Sequence, residues 1–323
     1  MPRTLIRKNP SNFKTLPLFV EATPEGLSYQ SVGMPLNFSQ TLQRRRKIEV
    51  QDSERFSTEL ANLGVSVRLT LNWQNRDYWV LVRQRRQDRG DVVLKLISGY
   101  VPAHELNLPL HTAIQEVAEE CLIETPQGWL GGRFNDTWLP APYAAALHYR
   151  EAMPFRLSPL SGAARPVRCG SMTLIERPRA YVHLPTASLQ LIYDMRLEVP
   201  REARPLSLFH VDETLENDQL VARLNRSKPD LYLMPLENGV PLPELYTLKN
   251  DKLSPAGTRG LYLAESFAAQ EGWVVREERI RWKDWLLAQG LTPKKAKKTG
   301  IKRRLTVGAK QLLRMARKTL HKT

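Results

Sequence analysis

The sequence predicts an α/β protein, with strands and helices following one another along the chain. Three observations carry that reading. Two runs, Tyr78-Trp79-Val80-Leu81-Val82 and Val92-Val93-Leu94-Lys95-Leu96-Ile97, are dense in strand-forming residues, with Arg85, Gln87, Asp88, Arg89 and Gly90 as a polar turn between them. Downstream, Leu110, Ile114, Val117 and Cys121 recur at i, i+4, i+7 and i+11, the buried stripe of an amphipathic helix. Apolar residues make up 42% of 323 residues, enough for one large core or two modest ones.

The elements can be justified in order along the chain. Residues 1–60 contain the strand-like pieces Leu16-Pro17-Leu18-Phe19-Val20 and Leu27-Ser28-Tyr29-Gln30-Ser31-Val32, then the basic cluster Arg44-Arg45-Arg46-Lys47. They predict an N-terminal extension that packs on, or completes, the main sheet. Residues 61–71 alternate in polarity and read as the first strand of a domain spanning 61–290. Strands resume at 190–199 and 231–234, and Arg281-Trp282-Lys283-Asp284-Trp285-Leu286-Leu287 predicts a final helix.

The chemistry is concentrated in the first helix. Glu116, Glu119 and Glu120 stand at i, i+3 and i+4, so on a helix they share one face. Clustered carboxylates repel one another unless a cation neutralises them, and hard divalent ions such as Mg²⁺ prefer oxygen ligands. The competing reading of the same spacing is a solvated acidic face.

Upstream of the helix stand Gly99 and a loop carrying Glu105, and with them the segment resembles the Nudix hydrolase family. Gly99, a five-residue gap, Glu105, Glu116, Val117, Glu119, Glu120 and Ile123 fit the family's box, which covers residues 99–123. Three positions depart from it. Nine residues instead of seven separate Glu105 from the family's Arg position, that position is Gln115, and the late Gly is Leu122. In the family the Arg is thought to hold the loop Glu; Gln115 would offer a neutral hydrogen bond about half as strong. Thr112-Ala113-Ile114-Gln115 also fits a capping box, which would place Gln115 at the helix N-terminus instead. Without the Gly the helix is expected to continue to Glu124 or Thr125.

The resemblance implies an α/β fold with a Nudix-type mixed sheet sandwiched between helices, with residues 126–185 as an insertion and residues 291–323 as an appended basic tail. It implies a Mg²⁺- or Mn²⁺-dependent hydrolase acting on a pyrophosphate linkage in a nucleoside-diphosphate-type substrate, an RNA 5′ end among the options. Glu116, Glu119 and Glu120 would bind metal, with Glu120, Glu119 and Glu105 as catalytic groups. Asp212, Glu213, Glu216, Asp218 and Glu265 are candidates for a general base beyond the box, or are ordinary surface carboxylates. The aromatics of the insertion, Trp129, Trp138, Tyr143, Tyr149 and Phe155, would stack on a base or pack the core. A non-catalytic, Nudix-like ligand sensor or nucleic-acid-binding regulator is the alternative, favoured by the departures in the box.

Other chemistry finds little support. Two cysteines, Cys121 and Cys169, make no disulfide framework or zinc knuckle, and Cys121 falls on the apolar stripe. The six histidines are scattered; His104 and His111 flank the Glu105 loop. No run of about 18 apolar residues is present, and the first residues lack a secretory apolar core. The expectation is a cytoplasmic protein.

Residues 291–323 form the second signal. They hold twelve Lys or Arg and no Asp or Glu, out of a net charge of +15 for the chain. Lys294, Lys295, Lys297, Lys298, Lys302, Arg303 and Arg304 make a dense block, followed by Leu305, Ala309, Leu312, Leu313, Ala316 and Leu320 at helical spacing. The expected partner is nucleic acid, bound through counterion release. An anionic membrane surface comes next, since a basic helix with an apolar stripe can lie in the interface. A solubilising tail, or a helix docked on the protein's own acidic surface, is the remaining reading.

Overall fold

The strand Asn62–Trp73 organises the molecule: ten of its twelve residues are buried, the exceptions being Arg68 and Asn72. A strand buried on both faces must be covered on both. Along one edge it pairs in parallel with Ser188–Glu198, in register from Asn62↔Ser188 to Leu71↔Leu197. Along the other edge two antiparallel partners share it, Ile97–Tyr100 opposite residues 64–67 and Arg76–Arg85 opposite residues 69–73. Gln74 and Asn75 turn the chain into Arg76–Arg85 with φ of 50° and 61°, the left-handed pair that a tight two-residue hairpin requires. Arg76–Arg85 then pairs antiparallel with Val92–Lys95 and with Leu231–Glu237. The sheet is therefore mixed, as the resemblance implied.

This computed structural model describes residues 2–9, 13–85, 92–160, 162, 164–216, 219–269 and 272–291. The basic tail, with Lys294, Lys295, Lys297, Lys298, Lys302, Arg303, Arg304 and the helix expected after them, lies outside the described residues, as do Asp218 and the turn at 86–91.

One helix covers each face of the sheet. Pro109–Glu120 buries Ala113, Ile114 and Val117 in a cluster with Val65, Val67, Val80, Val82 and Ile97. Trp282–Ala288 buries Trp282, Trp285 and Leu286 with Leu81, Leu94, Ile192 and Leu263. Val80 and Val82 belong to the first cluster and Leu81 to the second. Because side chains alternate across a strand, the two helices lie on opposite faces.

The chain is richer in strand than expected. Among the described residues there are three α-helices, the third being the short Phe38–Arg44 in the N-terminal segment. That segment also builds a separate five-stranded sheet from Leu18–Thr23, Gly26–Ser31 and Phe56–Leu60, joined by Val167–Cys169 and Met172–Thr173. Its first strand, Arg3–Lys8, pairs antiparallel with Gln219–Leu224. Residues 126–185 thus contribute strands to both sheets; Gly128–Phe134 and Tyr149–Pro159 run parallel in the larger one. No helix among the described residues is long and apolar enough to cross a membrane.

Two local expectations about the acidic helix fail. It begins at Pro109, whose ring suits a first turn, and Leu108 before it supplies no side-chain cap, so Thr112 and Gln115 form no capping box. It ends at Glu120 and does not continue to Glu124 or Thr125. Cys121 takes an extended conformation, and Leu122–Thr125 becomes a strand paired with Ser207–Phe209. Leu122 and Ile123 are buried there, so tertiary pairing of β-branched and aliphatic residues overrides helical continuation.

Candidate active site

A cleft of about 1150 Å³ opens over the acidic face of the helix Pro109–Glu120 and takes in Gly99, Glu105, Glu116, Glu119 and Glu120. Gly99 is there for space. A Cβ at this position would lie 1.8 Å from Glu116 Oε1, so the carboxylate rests against bare backbone. Strand Ile97–Tyr100 and the helix are thereby held at a separation that a side chain at position 99 would prevent.

The floor of the cleft is negatively charged and partly buried. Burial, followed by repulsion from Glu120 and Glu119, pushes the Glu116 carboxyl well above its ordinary range, against the pull of Lys95. Burial likewise raises Glu119; Lys8, 3.8 Å away, opposes it and Glu120 adds to it. Of the proposed base candidates, Glu213 on strand Val211–Glu216 faces the same cleft. Its carboxyl is raised to about 7 by burial and by Glu119, and its Oε1 is buried without a hydrogen-bond partner. Glu265 also lines the cleft. Asp212 is exposed, and Glu216 forms a bidentate pair with Arg223 that holds its carboxyl down at about 2.

Glu105 is arranged differently from the expectation. Its Oε2 accepts from Thr112 Oγ1 at 2.7 Å and its Oε1 accepts from His111 Nδ1 at 2.9 Å. Gln115 does not reach it. Gln115 Nε2 donates instead to His111 Nε2 at 3.4 Å, so the residue at the Arg position braces the brace. Within the lengthened interval the helix starts at Pro109, which puts His111 and Thr112 one turn ahead of Gln115 and against the loop carboxylate.

Two buried site residues, Lys95 and His210, were not among the residues expected from the sequence. Lys95, 8% exposed, reaches out of strand Val92–Lys95 to Glu120 Oε1 at 3.0 Å. His210, 5% exposed, donates from Nδ1 to the Glu120 carbonyl at 3.3 Å, and burial lowers its pKa, so it is neutral at pH 7. Both carried a legible signal: a lone polar group inside an apolar run, Leu94-Lys95-Leu96 and Phe209-His210-Val211, must find a partner when buried.

The N-terminal segment supplies another wall, with Phe13, Phe38, Leu42 and Arg45 beside Tyr100. Arg45 stacks on the Tyr100 ring at 4.6 Å and donates from Nε to Asn62 Oδ1 at 3.2 Å. The insertion's aromatics do not take this role. Trp129, Tyr143 and Phe155 are buried in the core, and neither Trp138 nor Tyr149 is among the residues lining the cleft.

Whether these groups suit a divalent ion can be judged from the donors. Among the described residues no three carboxylate, imidazole or thiol groups converge as a ready-made cage. The donor set is nonetheless of the right kind: oxygen only, crowded with like charge, and with one buried carboxylate oxygen left unpartnered. Comparison with models of protein families, with curated proteins and with solved structures found no match to this chain.

Proposed function

We propose that the chain is a metal-dependent hydrolase of Nudix type, cleaving a pyrophosphate linkage in a nucleoside-diphosphate-type substrate. The observation that carries the reading is the crowding of Glu116, Glu119, Glu120 and Glu213 in one cleft beside Gly99, where burial and neighbouring carboxylates raise the carboxyls of Glu116, Glu119 and Glu213. Such a group stabilises a cation more than scattered surface carboxylates do. Glu120, Glu119 and Glu116 would hold Mg²⁺ or Mn²⁺, which when bound neutralises the pyrophosphate and acidifies an attacking water.

The chain's own groups divide the remaining work. Glu213, raised to about 7 and with a free oxygen, is placed to accept a proton near neutral pH. Lys8 and Lys95 bring positive charge to the cleft for a substrate phosphate. Phe38 and Tyr100 offer ring faces to the rest of a nucleotide. The basic residues of 291–323 support recruitment of a polyanion, an RNA carrying a 5′ pyrophosphate linkage being the substrate that would use both modules.

Product release from a mixed panel of nucleoside-diphosphate compounds and 5′-triphosphorylated RNA tests the reading, with wild type and Glu120→Gln compared with and without Mg²⁺ or Mn²⁺. Metal-dependent turnover lost in the variant supports it. A chain cut after Leu291 is expected to keep turnover on small nucleotides and to lose salt-sensitive RNA affinity. The second reading, a non-catalytic ligand sensor, draws on the Lys95–Glu120 pair and the absence of a closed cage among the described residues. No turnover on any compound, with one of them still raising the melting temperature, would select it.

A further inference from the structure

Among the described residues Lys95 is the one ammonium buried in the carboxylate floor. It ends the apolar strand Val92–Lys95, and its side chain is only 10% exposed. Its Nζ donates to Glu120 Oε1 at 3.0 Å, Ser98 Oγ at 3.1 Å and the Ser98 carbonyl at 3.3 Å. Three acceptors match the three hydrogens of an ammonium. The other Glu120 oxygen, Oε2, accepts from the Ser98 amide at 3.3 Å. Both oxygens of Glu120 are therefore engaged, whereas Glu213 in the same cleft keeps an oxygen with no partner.

A buried cation is costly unless paired, and a buried carboxylate among three others equally so. Each lowers the cost of burying the other in the absence of an added ion. We propose that Lys95 is a resident counter-ion: its ammonium occupies the position at Glu120 that a divalent cation would take, and the cation binds by displacing it. The inference rests on the reading of this cleft as a divalent-cation site. Displacement breaks the bond to Glu120 and leaves the two Ser98 oxygens as anchors, so the ammonium stays beside the ion, where a substrate phosphate would lie. The consequence is a built-in competition, in which the ion's affinity is lowered by the strength of one charge-assisted hydrogen bond.

Calorimetric titration of Mn²⁺ alone into the full-length wild type, Lys95→Met and Lys95→Gln tests this, with melting curves recorded on the same samples. Both variants are expected to bind Mn²⁺ roughly tenfold or more tightly than wild type, the scale of one charge-assisted hydrogen bond. They are also expected to gain more thermal stability from it. Lys95→Gln keeps an N–H donor for Glu120, so it carries the test if Lys95→Met does not fold. Equal or weaker Mn²⁺ affinity in a folded variant overturns the resident-ion role and leaves the metal site standing. Absence of Mn²⁺ binding and of any thermal shift in wild type and variants alike removes the metal site itself, and the inference with it.

Discussion

Two sets of carboxylates share this cleft, and the fold treats them in opposite ways. On the loop side Glu105 is buried with both oxygens satisfied, by Thr112 and His111. On the helix and strand side Glu116, Glu119 and Glu213 are raised by burial and by one another, and one Glu213 oxygen has no partner. The difference separates architecture from capacity. A carboxylate apart from like charge and bonded to its neighbours contributes stability; one crowded by like charge costs stability and regains it when a cation arrives, as Glu120 does in part from the Lys95 ammonium. By that criterion Glu105 braces the loop, and under the proposed function the helix floor with Glu213 would be the working surface.

The largest expected effect separates the two sets directly. Glu120→Gln should lower turnover by at least ~10²-fold, the scale of losing a principal electrostatic group, while the protein stays folded. Glu105→Gln should do the reverse. It disturbs a two-acceptor brace, lowers stability by about 1–3 kcal/mol, and keeps turnover per folded molecule within about threefold. Parallel melting and rate measurements on both variants decide the matter. A Glu105→Gln protein that is stable but inactive would transfer Glu105 to the catalytic set.

A medium-sized effect concerns pH. The Glu213 carboxyl is raised to about 7 in the folded chain from its ordinary 4.5. Between those values the folded state holds a proton that the unfolded chain has released, so stability falls as pH rises through this window. Glu116 and Glu119, raised in the same direction, add to the fall. The metal-free protein should melt several degrees lower at pH 8 than at pH 5.5, Glu213→Gln should flatten the slope, and Mg²⁺ should restore the loss at pH 8. A metal-free melting temperature that rises steadily from pH 5.5 to 8 contradicts the crowding on which the comparison depends.

How much of this was legible depends on how local each feature is. The Glu116, Glu119 and Glu120 face follows from helical spacing alone, and the strands flanking it follow from their composition. The final helix was readable because two tryptophans and two leucines fall together at 282–287. Glu213 could be placed only among five candidates, because its approach to the helix depends on the pairing of Leu122–Thr125 with Ser207–Phe209, which are distant in sequence. The same pairing ended the helix early, which no propensity of Leu122 or Ile123 announces. Lys8, Phe38 and Arg45 reach the cleft from the N-terminal segment, and nothing in their own neighbourhoods marks them as site residues.

The smallest expected effect falls where the segment departs from the family pattern it resembles. Gln115→Arg would restore the residue type that the Nudix box carries at that position. If Glu105 lacked a partner, the guanidinium would supply one and turnover would rise. Here both Glu105 oxygens already accept, and Gln115 is turned to His111 Nε2, a contact of 3.4 Å on an exposed side. An added cation there meets a buried carboxylate whose two oxygens are already engaged, so little is left for it to gain. We therefore expect Gln115→Arg to shift the melting temperature by no more than a few degrees and turnover by less than threefold. His111→Ala, by contrast, removes a donor from Glu105 and should destabilise the chain more than Gln115→Arg stabilises it. In the His111→Ala background Gln115→Arg should become clearly stabilising, because only then does Glu105 have an oxygen to offer. A double-mutant cycle measures that coupling, and a coupling near zero would mean that His111 and Gln115 do not act on the same carboxylate.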